Sequence, residues 1–564
     1  MVQMAIYASE MLSVEGLIRD HGLGMLTQDG WTWLWYFDSA GAIQAQGFNI
    51  LAHTADFVFI LMLLQRFNLP QWGFPQGTNS EAKLDVVRGL PESRDETPGP
   101  AGHTRLMPAA PGAKTFEVVG TDRKGVPKTM VVNPTRVLYK PSPVLKGRRT
   151  MVLEAQDPDM PTTSYVAKWS YPQTTRHNEA ETIWIAREIV EEVDKSALGA
   201  MTDVIAFKDF SHLSTNTIRG HLRLVSDPTQ SLIDAEHYGE RILRCIFEVE
   251  FKPLTYLSDL EFVRGIINCI HCHMILWIGN GKYRVEHTDV SFWNLGVCPF
   301  SLCIRLRDFD LARVVVAGQP SKPQGSERTG TVPFMALDLL TEAYWNGQRE
   351  RLYRHDLEAF VWVAMYFAWA FDDEGLEDLT SPVQVWLTGD YDQCRLAKGD
   401  FLRTRAGELP DWMTSEDTPL GYALSFARMI SQWLVGEEAQ RRKAANPKVD
   451  VLDRFAKKNH LSRSRGDELE EAKHDFELFW AEIEAIHSAV KDVEPTPERV
   501  NYYMEREKKI TAMNTQREAE EAKLDREANA EERERKKAKR EAEQEARKER
   551  DRNMQLRRKV ISAL

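Results

Sequence analysis

Apolar residues change their spacing several times along the chain, and each change predicts a different element. Trp31, Trp33, Trp35, Tyr36 and Phe37 form a dense aromatic cluster, and Ala55 to Phe67 is apolar enough to read as a buried helix. From Pro70 to Lys114 the pattern lapses into Pro, Gly and polar residues (LPESRDETPGPAGHTR, MPAAPGAK). Such a stretch buries too little apolar surface to order itself and reads as a flexible linker. Phe116–Val119 and Met130–Val132 read as strands around the turn-prone Asp122-Arg-Lys-Gly125. Further on, short strands precede long helices. Leu260 to Ile278 carries apolar residues at helical spacing, and Asp356 to Phe371 (DLEAFVWVAMYFAWAF) is apolar nearly all round, so it must be buried. The predicted class is α+β. Its expected units are an N-terminal helical region over 1–68, a linker over 69–114, a β-rich part over 115–255, a larger helical part over 256–436 and a charged helical tail over 437–564.

The tail changes the picture most. Beyond Glu437 it is rich in Ala, Glu, Lys and Arg, and from about Thr515 to Lys559 charges of mixed sign dominate. Its apolar positions there are mostly alanines without a sustained heptad, which argues against a tight coiled coil. Many Glu–Lys and Glu–Arg pairs four apart support a solvated helix, with a partner-binding coiled coil as the other reading. Arg533 to Arg540 (RERKKAKR) could serve as a nuclear address.

Composition sets further limits. The 564 residues carry 84 Asp plus Glu against 72 Lys plus Arg, a net charge of −12, which argues against nucleic-acid or anionic-membrane binding over the whole surface. Six cysteines make no disulfide scaffold and suggest a reducing compartment. The N-terminus lacks a secretory pattern, and the run Phe57 to Leu64 is too short to span a bilayer. The expected location is intracellular, cytoplasmic or nuclear.

The chemistry lies in His287-Thr-Asp-Val-Ser-Phe-Trp-Asn294. Before it, Asn280-Gly281 makes a turn and Tyr283 to Val285 a short strand. After it, Leu302, Ile304 and Leu306 alternate as a strand that ends at Asp308-Phe309-Asp310. An Asp and an Asn thus sit five apart in a loop, and a second Asp follows a strand. Phosphoryl transfer needs such a set: one carboxylate to orient and deprotonate a hydroxyl, and a side-chain oxygen with a second carboxylate to hold Mg²⁺ on nucleotide phosphates. Asp289 fits the first role, and Asn294 and Asp308 fit the second.

These residues resemble the protein kinase superfamily and, in detail, the fungal-type protein kinase family, whose catalytic loop and D-F-D-L-A segment are echoed here. Gly330-Thr-Val-Pro-Phe-Met-Ala-Leu-Asp-Leu-Leu340 is similar to the end of a kinase activation segment, with Ala336-Leu337-Asp338 in place of Ala-Pro-Glu. Arg354-His-Asp356-Leu-Glu-Ala-Phe360 is similar to the family's core helix start, where Asp356 is expected to cap backbone N–H groups and brace the catalytic loop. Gly41-Ala-Ile-Gln-Ala-Gln-Gly-Phe48 and the helix ending in Gln65-Arg66-Phe67 also resemble the family. The likeness runs over about residues 30 to 435, the linker excepted. It implies a two-lobed fold, a small β-rich N-lobe and a larger helical C-lobe, that binds ATP and Mg²⁺ and phosphorylates Ser or Thr of a protein substrate.

The same resemblance asks for a nucleotide lysine on a strand. Lys168 in Tyr165-Val-Ala-Lys fits, with Lys208 in Val204-Ile-Ala-Phe-Lys as rival. The helix beginning near Arg176 would supply its carboxylate from Glu179, Glu181 or Glu188. Likeness to the family's Arg-x-x-Glu pattern favours Glu179. In Leu145-Lys-Gly147-Arg-Arg-Thr-Met-Val-Leu, Gly147 alone stands where many kinases have three glycines in the loop over the nucleotide.

Thr288 stands where most protein kinases have Arg, which puts switching by activation-loop phosphorylation in doubt. H-x-D with D-F-D also resembles small-molecule kinases of the aminoglycoside and choline type, though the segment from Gly330 to Leu340 argues against them. A third reading is a pseudokinase that binds partners through the charged tail. Cys269-Ile-His-Cys272-His273 matches a haem-attachment pattern but lies in an apolar-striped helical segment, where buried side chains are expected. His287 is assigned a bracing role, and Ser291 has no triad partners.

Overall fold

The aromatic cluster near the N-terminus forms strands, which corrects the helical expectation for residues 1–68. The computed structural model describes residues 2–13, 18–74, 106–108, 114–140, 143–225, 239–257, 259–317, 330–371, 375–405, 421–445, 465–491 and 496–513, with a few single positions besides. Helix α1 (Val2–Leu12) leads into strands β1 (His21–Gln28), β2 (Trp31–Asp38), β3 (Gly41–Gln44) and β4 (Phe48–Asn49). β1 and β2 pair antiparallel from His21↔Asp38 to Gln28↔Trp31. The two-residue loop between them, Asp29-Gly30, has φ of 51° and 78°. Asp-Gly favours the type I′ turn this backbone describes. Trp31, Trp33, Trp35 and Phe37 recur with period two, the spacing of a strand face.

Helix α2 (Thr54–Gln65) stands where the hydrophobic run places it, yet none of its residues is buried. Phe59 is 61% exposed. The expectation of a buried helix is therefore corrected: apolarity sets a preference for burial, but a second layer must face the helix, and no described element packs extensively against it.

A seven-stranded antiparallel sheet follows, made of β5 (Leu106–Pro108), β6 (Lys114–Thr121), β7 (Pro127–Tyr139), β8 (Met151–Gln156), β9 (Tyr165–Ser170), β10 (Val204–Ser214) and β11 (Ile242–Val249), in the order β10-β11-β9-β8-β7-β6-β5. Leu106–Pro108 pairs with β6, so the linker reading of 69–114 fails at those residues; 75–105 and 109–113 lie outside the described residues. The β6–β7 turn is tied by Asp122 Oδ1, which accepts from Lys124 N–H and Val126 N–H at 2.8 Å each. Helix α3 (Glu179–Val193) joins β9 to β10, and α4 (Asn216–Val225) lies between β10 and β11. The N-terminal sheet is bound to α4 by a buried bidentate pair, Arg219 on Asp38, at 2.8 and 2.7 Å.

The helical part begins with α5 (Asp259–Ile278). Two small ladders follow, one of β12 (Tyr283–Glu286) with β15 (Arg313–Val316), the other of β13 (Leu295–Val297) with β14 (Ile304–Leu306). Then come α6 (Glu342–Trp345), α7 (Tyr353–Ala370), α8 (Tyr391–Thr404), α9 (Tyr422–Ala445) and α10 (Arg465–Val490), and residues 497–513 are helical. Buried apolar residues form two large clusters. One lies on the seven-stranded sheet around Phe116, Leu153, Ala167 and Trp169. The other surrounds α5 and α7.

The tail boundary at 436/437 is also corrected. α9 runs unbroken through it, and Ala472, Phe479, Ile483, Val490 and Tyr503 belong to the second core. On α10 the apolar residues Ala472, Phe476, Phe479 and Ile483 are spaced four, three and four apart, a helical stripe among charges. The charged run from 524 to 559, with Arg533–Arg540, lies outside the described residues. Among the described residues no helix is long and apolar enough to cross a membrane.

Candidate active site

The order strand, helix, strand brings a lysine and a glutamate together. On β9, Lys168 pairs in register with Ile246 of β11, so its neighbours hold its backbone. Asn178 caps α3 by accepting from Ala180 N–H at 2.9 Å, which places Glu179 in the first turn, where the helix dipole favours an anion. Lys168 Nζ donates to Glu179 Oε1 at 2.8 Å and Oε2 at 2.9 Å, and to Asp308 Oδ1 at 2.6 Å. The rivals stand elsewhere. Glu181 is exposed, Glu188 lies 3.9 Å from Arg123 at the surface, and Lys208 sits over the Phe210 ring on β10.

Asp308 comes from the floor. The β13–β14 ladder pairs Leu295 with Leu306, and one step further Arg307 N–H donates to Asn294 O at 3.0 Å. The backbone of Asn294 is thus tied to the residue just before Asp308, although fourteen positions separate Asn294 from Asp308 in the chain. Asn294 Nδ2 donates to Asp289 O and Asp289 Oδ2 at 2.8 Å each. With its amide nitrogen engaged, Oδ1 is the atom left for a cation. His287 braces this floor: its Nε2–H donates to Arg307 O at 3.0 Å and its ring meets Phe309 edge-on. Thr288, in a left-handed conformation (φ 61°), donates its hydroxyl to Leu311 O at 2.8 Å. Ser291 accepts from Asn294 N–H, closing the turn between them.

Charge is shared unevenly here. Burial disfavours the Lys168 ammonium, but Asp308 and Glu179 outweigh it and hold the amine protonated. Burial would raise Asp308; Lys168 and Arg148 hold it instead well below the usual carboxylate range. Burial lifts Glu179, so Asp308 is the firmer counter-ion.

Above the floor lies the turn at Gly147. Arg148 donates to Asp310, the second carboxylate of the D-F-D segment. Arg149 turns the other way, to Ser39 at the corner between β2 and β3 and to Arg19 just before β1. The segment from Gly330 to Leu340 is tied down by neighbouring side chains. Leu337 N–H donates to Glu358 Oε1 at 2.7 Å, and Asp338 accepts from Arg354 at 2.7 Å and from Arg349. Thr331 donates to Asp289 Oδ1 through its N–H and its hydroxyl.

Asp356 takes different partners from those expected: Arg351 Nε donates to it at 2.9 Å, and His273 Nε2 lies 3.0 Å away on α5. It thus ties α7 to α5 below the loop. Cys269, Cys272 and His273 all lie buried on α5, with the Cys269 thiol on Ile304 O. Spacing alone does not reveal Thr331, Arg148 or Arg149. A threonine or arginine gives no period to read, and its partners lie far away in the chain.

No curated protein matches the sequence. Among solved structures the chain is similar to the Cydia pomonella granulovirus kinase PK-1, with a TM-score of 0.27 and 12% identity, over 50% of this chain and 83% of that one. Residues 1–368, well over half of the chain, match the family described as "Fungal protein kinase", and the chain belongs to that family.

Proposed function

We propose that this chain is an ATP-dependent protein kinase that transfers a phosphoryl group to Ser or Thr of a protein substrate. One observation carries the reading: Lys168, Glu179 and Asp308 share one hydrogen-bonded cluster, and Arg307, the residue before Asp308, donates its N–H to the carbonyl of Asn294, which in turn holds Asp289. The two buried clusters are read as a sheet-based N-lobe and a helical C-lobe with the cleft between them.

In this reading Asp289 orients the acceptor hydroxyl and takes its proton. Its Oδ1 already accepts from a threonine hydroxyl, that of Thr331, which supports an alcohol as acceptor. Lys168, held by Glu179, grips the α- and β-phosphates. Gly147 and its neighbours cover the nucleotide. Asn294 Oδ1 and the Asp308 carboxylate would hold Mg²⁺. Two hard oxygen donors suit an ion that takes one or two carboxylates plus substrate phosphates rather than an all-protein cage. When bound, the ion supplies charge neutralisation at the phosphates. The ordered activation-segment end, with Asp338 on Arg354 and Thr331 on Asp289, supports a protein acceptor over a small alcohol.

The test is an assay with ATP labelled at the γ-phosphate and three acceptors: a mixture of protein substrates, an aminoglycoside and choline. Label on Ser or Thr of protein is expected. Label on a small alcohol alone, or on none in the presence of Mg²⁺, would overturn the reading.

A further inference from the structure

The two arginines after Gly147 point in opposite directions. Arg148 faces the cleft and binds Asp310. Arg149 takes a left-handed backbone conformation (φ 47°), uncommon for a residue with a Cβ. That conformation sends its side chain out of the cleft and into the N-terminal sheet, where it is 7% exposed.

All five of its N–H donors are used there. Nε donates to Ser39 Oγ at 2.8 Å. Nη1 donates to Arg19 O at 2.8 Å and to Leu12 O at 3.3 Å. Nη2 donates to Asp20 O at 3.2 Å and also to Ser39 Oγ. The guanidinium stacks over the Tyr171 ring, 4.5 Å from its centre. The backbone is stitched as well. Gly147 N–H donates to Ser39 O at 3.1 Å, Lys146 bridges Ala40, and Arg148 O accepts from Tyr171 N–H at 2.7 Å.

A glycine-rich loop shapes itself around phosphates through its own backbone freedom. With Gly147 alone, this turn lacks that freedom and takes its shape from a neighbour. The neighbour is the β2–β3 corner, Asp38 to Gly41, which Asp38 fixes by accepting from Ala40 N–H at 2.8 Å and pairing with Arg219.

We propose that Arg149 is a positioning residue of the nucleotide site: it fastens the covering turn to the N-terminal sheet and thereby holds the Arg148 guanidinium over the phosphate end of the cleft. The N-terminal sheet is then a working part of the nucleotide site. The proposal rests on the nucleotide-site reading above.

The experiment measures Kd for MgATP, KM for ATP and kcat on the full chain and on Arg149→Met, Arg149→Lys, Ser39→Ala and Arg499→Met. Arg499→Met removes an ion pair with Glu261 in the distant helical part and reports what mere destabilisation does. Losing charge-assisted bonds that hold the turn is expected to raise Kd and KM about tenfold or more in Arg149→Met. kcat at saturating ATP should fall by less than about threefold, and Arg149→Lys should lie between wild type and Arg149→Met. Arg499→Met should lower the melting temperature without moving Kd.

Wild-type Kd in Arg149→Met, or an equal loss in Arg499→Met, overturns the proposal. If Arg149→Met does not fold, Ser39→Ala decides: a Kd about threefold weaker supports it and an unchanged Kd overturns it. A wild-type chain that binds no MgATP defeats the nucleotide reading itself, a result distinct from the others.

Discussion

Thr331 donates twice to Oδ1 of Asp289, once from its N–H and once from its hydroxyl, each at 2.8 Å. Asn294 holds the other oxygen at 2.8 Å. Three donors from two separate segments therefore set the orientation of one carboxylate. Because orientation is worth a large part of a transfer rate, Thr331→Ala, which keeps the N–H but loses the hydroxyl, is expected to lower kcat about tenfold, and Thr331→Ser to keep most of it. Steady-state kinetics with a protein acceptor check this; equal rates in Thr331→Ala and wild type would remove Thr331 from the account.

The two strand lysines separate cleanly. Lys168 meets Glu179 and Asp308, whereas Lys208 lies on β10 over Phe210. Lys168→Met should weaken MgATP binding about tenfold or more. Lys208→Met should change it less than about twofold. Isothermal titration with MgATP measures both, and the reverse order would move the nucleotide site to Lys208 on β10.

Two phenylalanines test the packing. Phe479 on α10 is fully buried in the core around α5 and α7, while Phe59 on α2 is exposed. Phe479→Ala should cost about 3–5 kcal/mol and Phe59→Ala within about 0.5 kcal/mol, both read from urea unfolding. A large cost at Phe59 would show that α2 is covered, and a small one at Phe479 that α10 does not dock.

Asp356 is buried between Arg351 and His273. Burial would raise its pKa; Arg351 and the hydrogen bond to His273 hold it well below the usual carboxylate range. A carboxylate lowered on folding stabilises the fold above its unfolded pKa of about 3.9, and that stabilisation is lost as pH falls below it. Asp356→Asn should therefore cost about 3–5 kcal/mol at neutral pH. The gap to wild type should narrow below about pH 4. Denaturant unfolding at neutral and acid pH measures this; a gap that widens in acid would contradict the assignment of charge.

Much of the candidate site is written in local spacing. Asp289 and Asn294 share one loop, and the alternation from Leu302 to Leu306 leads to Asp308; Lys168 is sought because of the family resemblance, and only that resemblance favours Glu179 over Glu181 and Glu188. The helical reading misses the N-terminal hairpin, although Asp29-Gly30 lies beside aromatic residues of period two. Its aromatic density hid that period. The α10 stripe was masked in another way, by charges that lower the mean hydropathy without breaking a spacing of four, three and four. Arg149 is different in kind. Its acceptors are mostly backbone carbonyls between Leu12 and Asp20, and every residue has a carbonyl, so no side-chain pattern marks them before the chain has folded.

In the proposed mechanism Asp289 serves transfer, while Lys168, Asn294 and Asp308 hold the nucleotide and its metal. Single-turnover transfer from γ-labelled ATP, with Kd for MgATP measured alongside, tests it on wild type and Asp289→Ala. A rate about 10²–10⁴ lower is expected in the variant, with Kd little changed. Equal rates in the two proteins would contradict it.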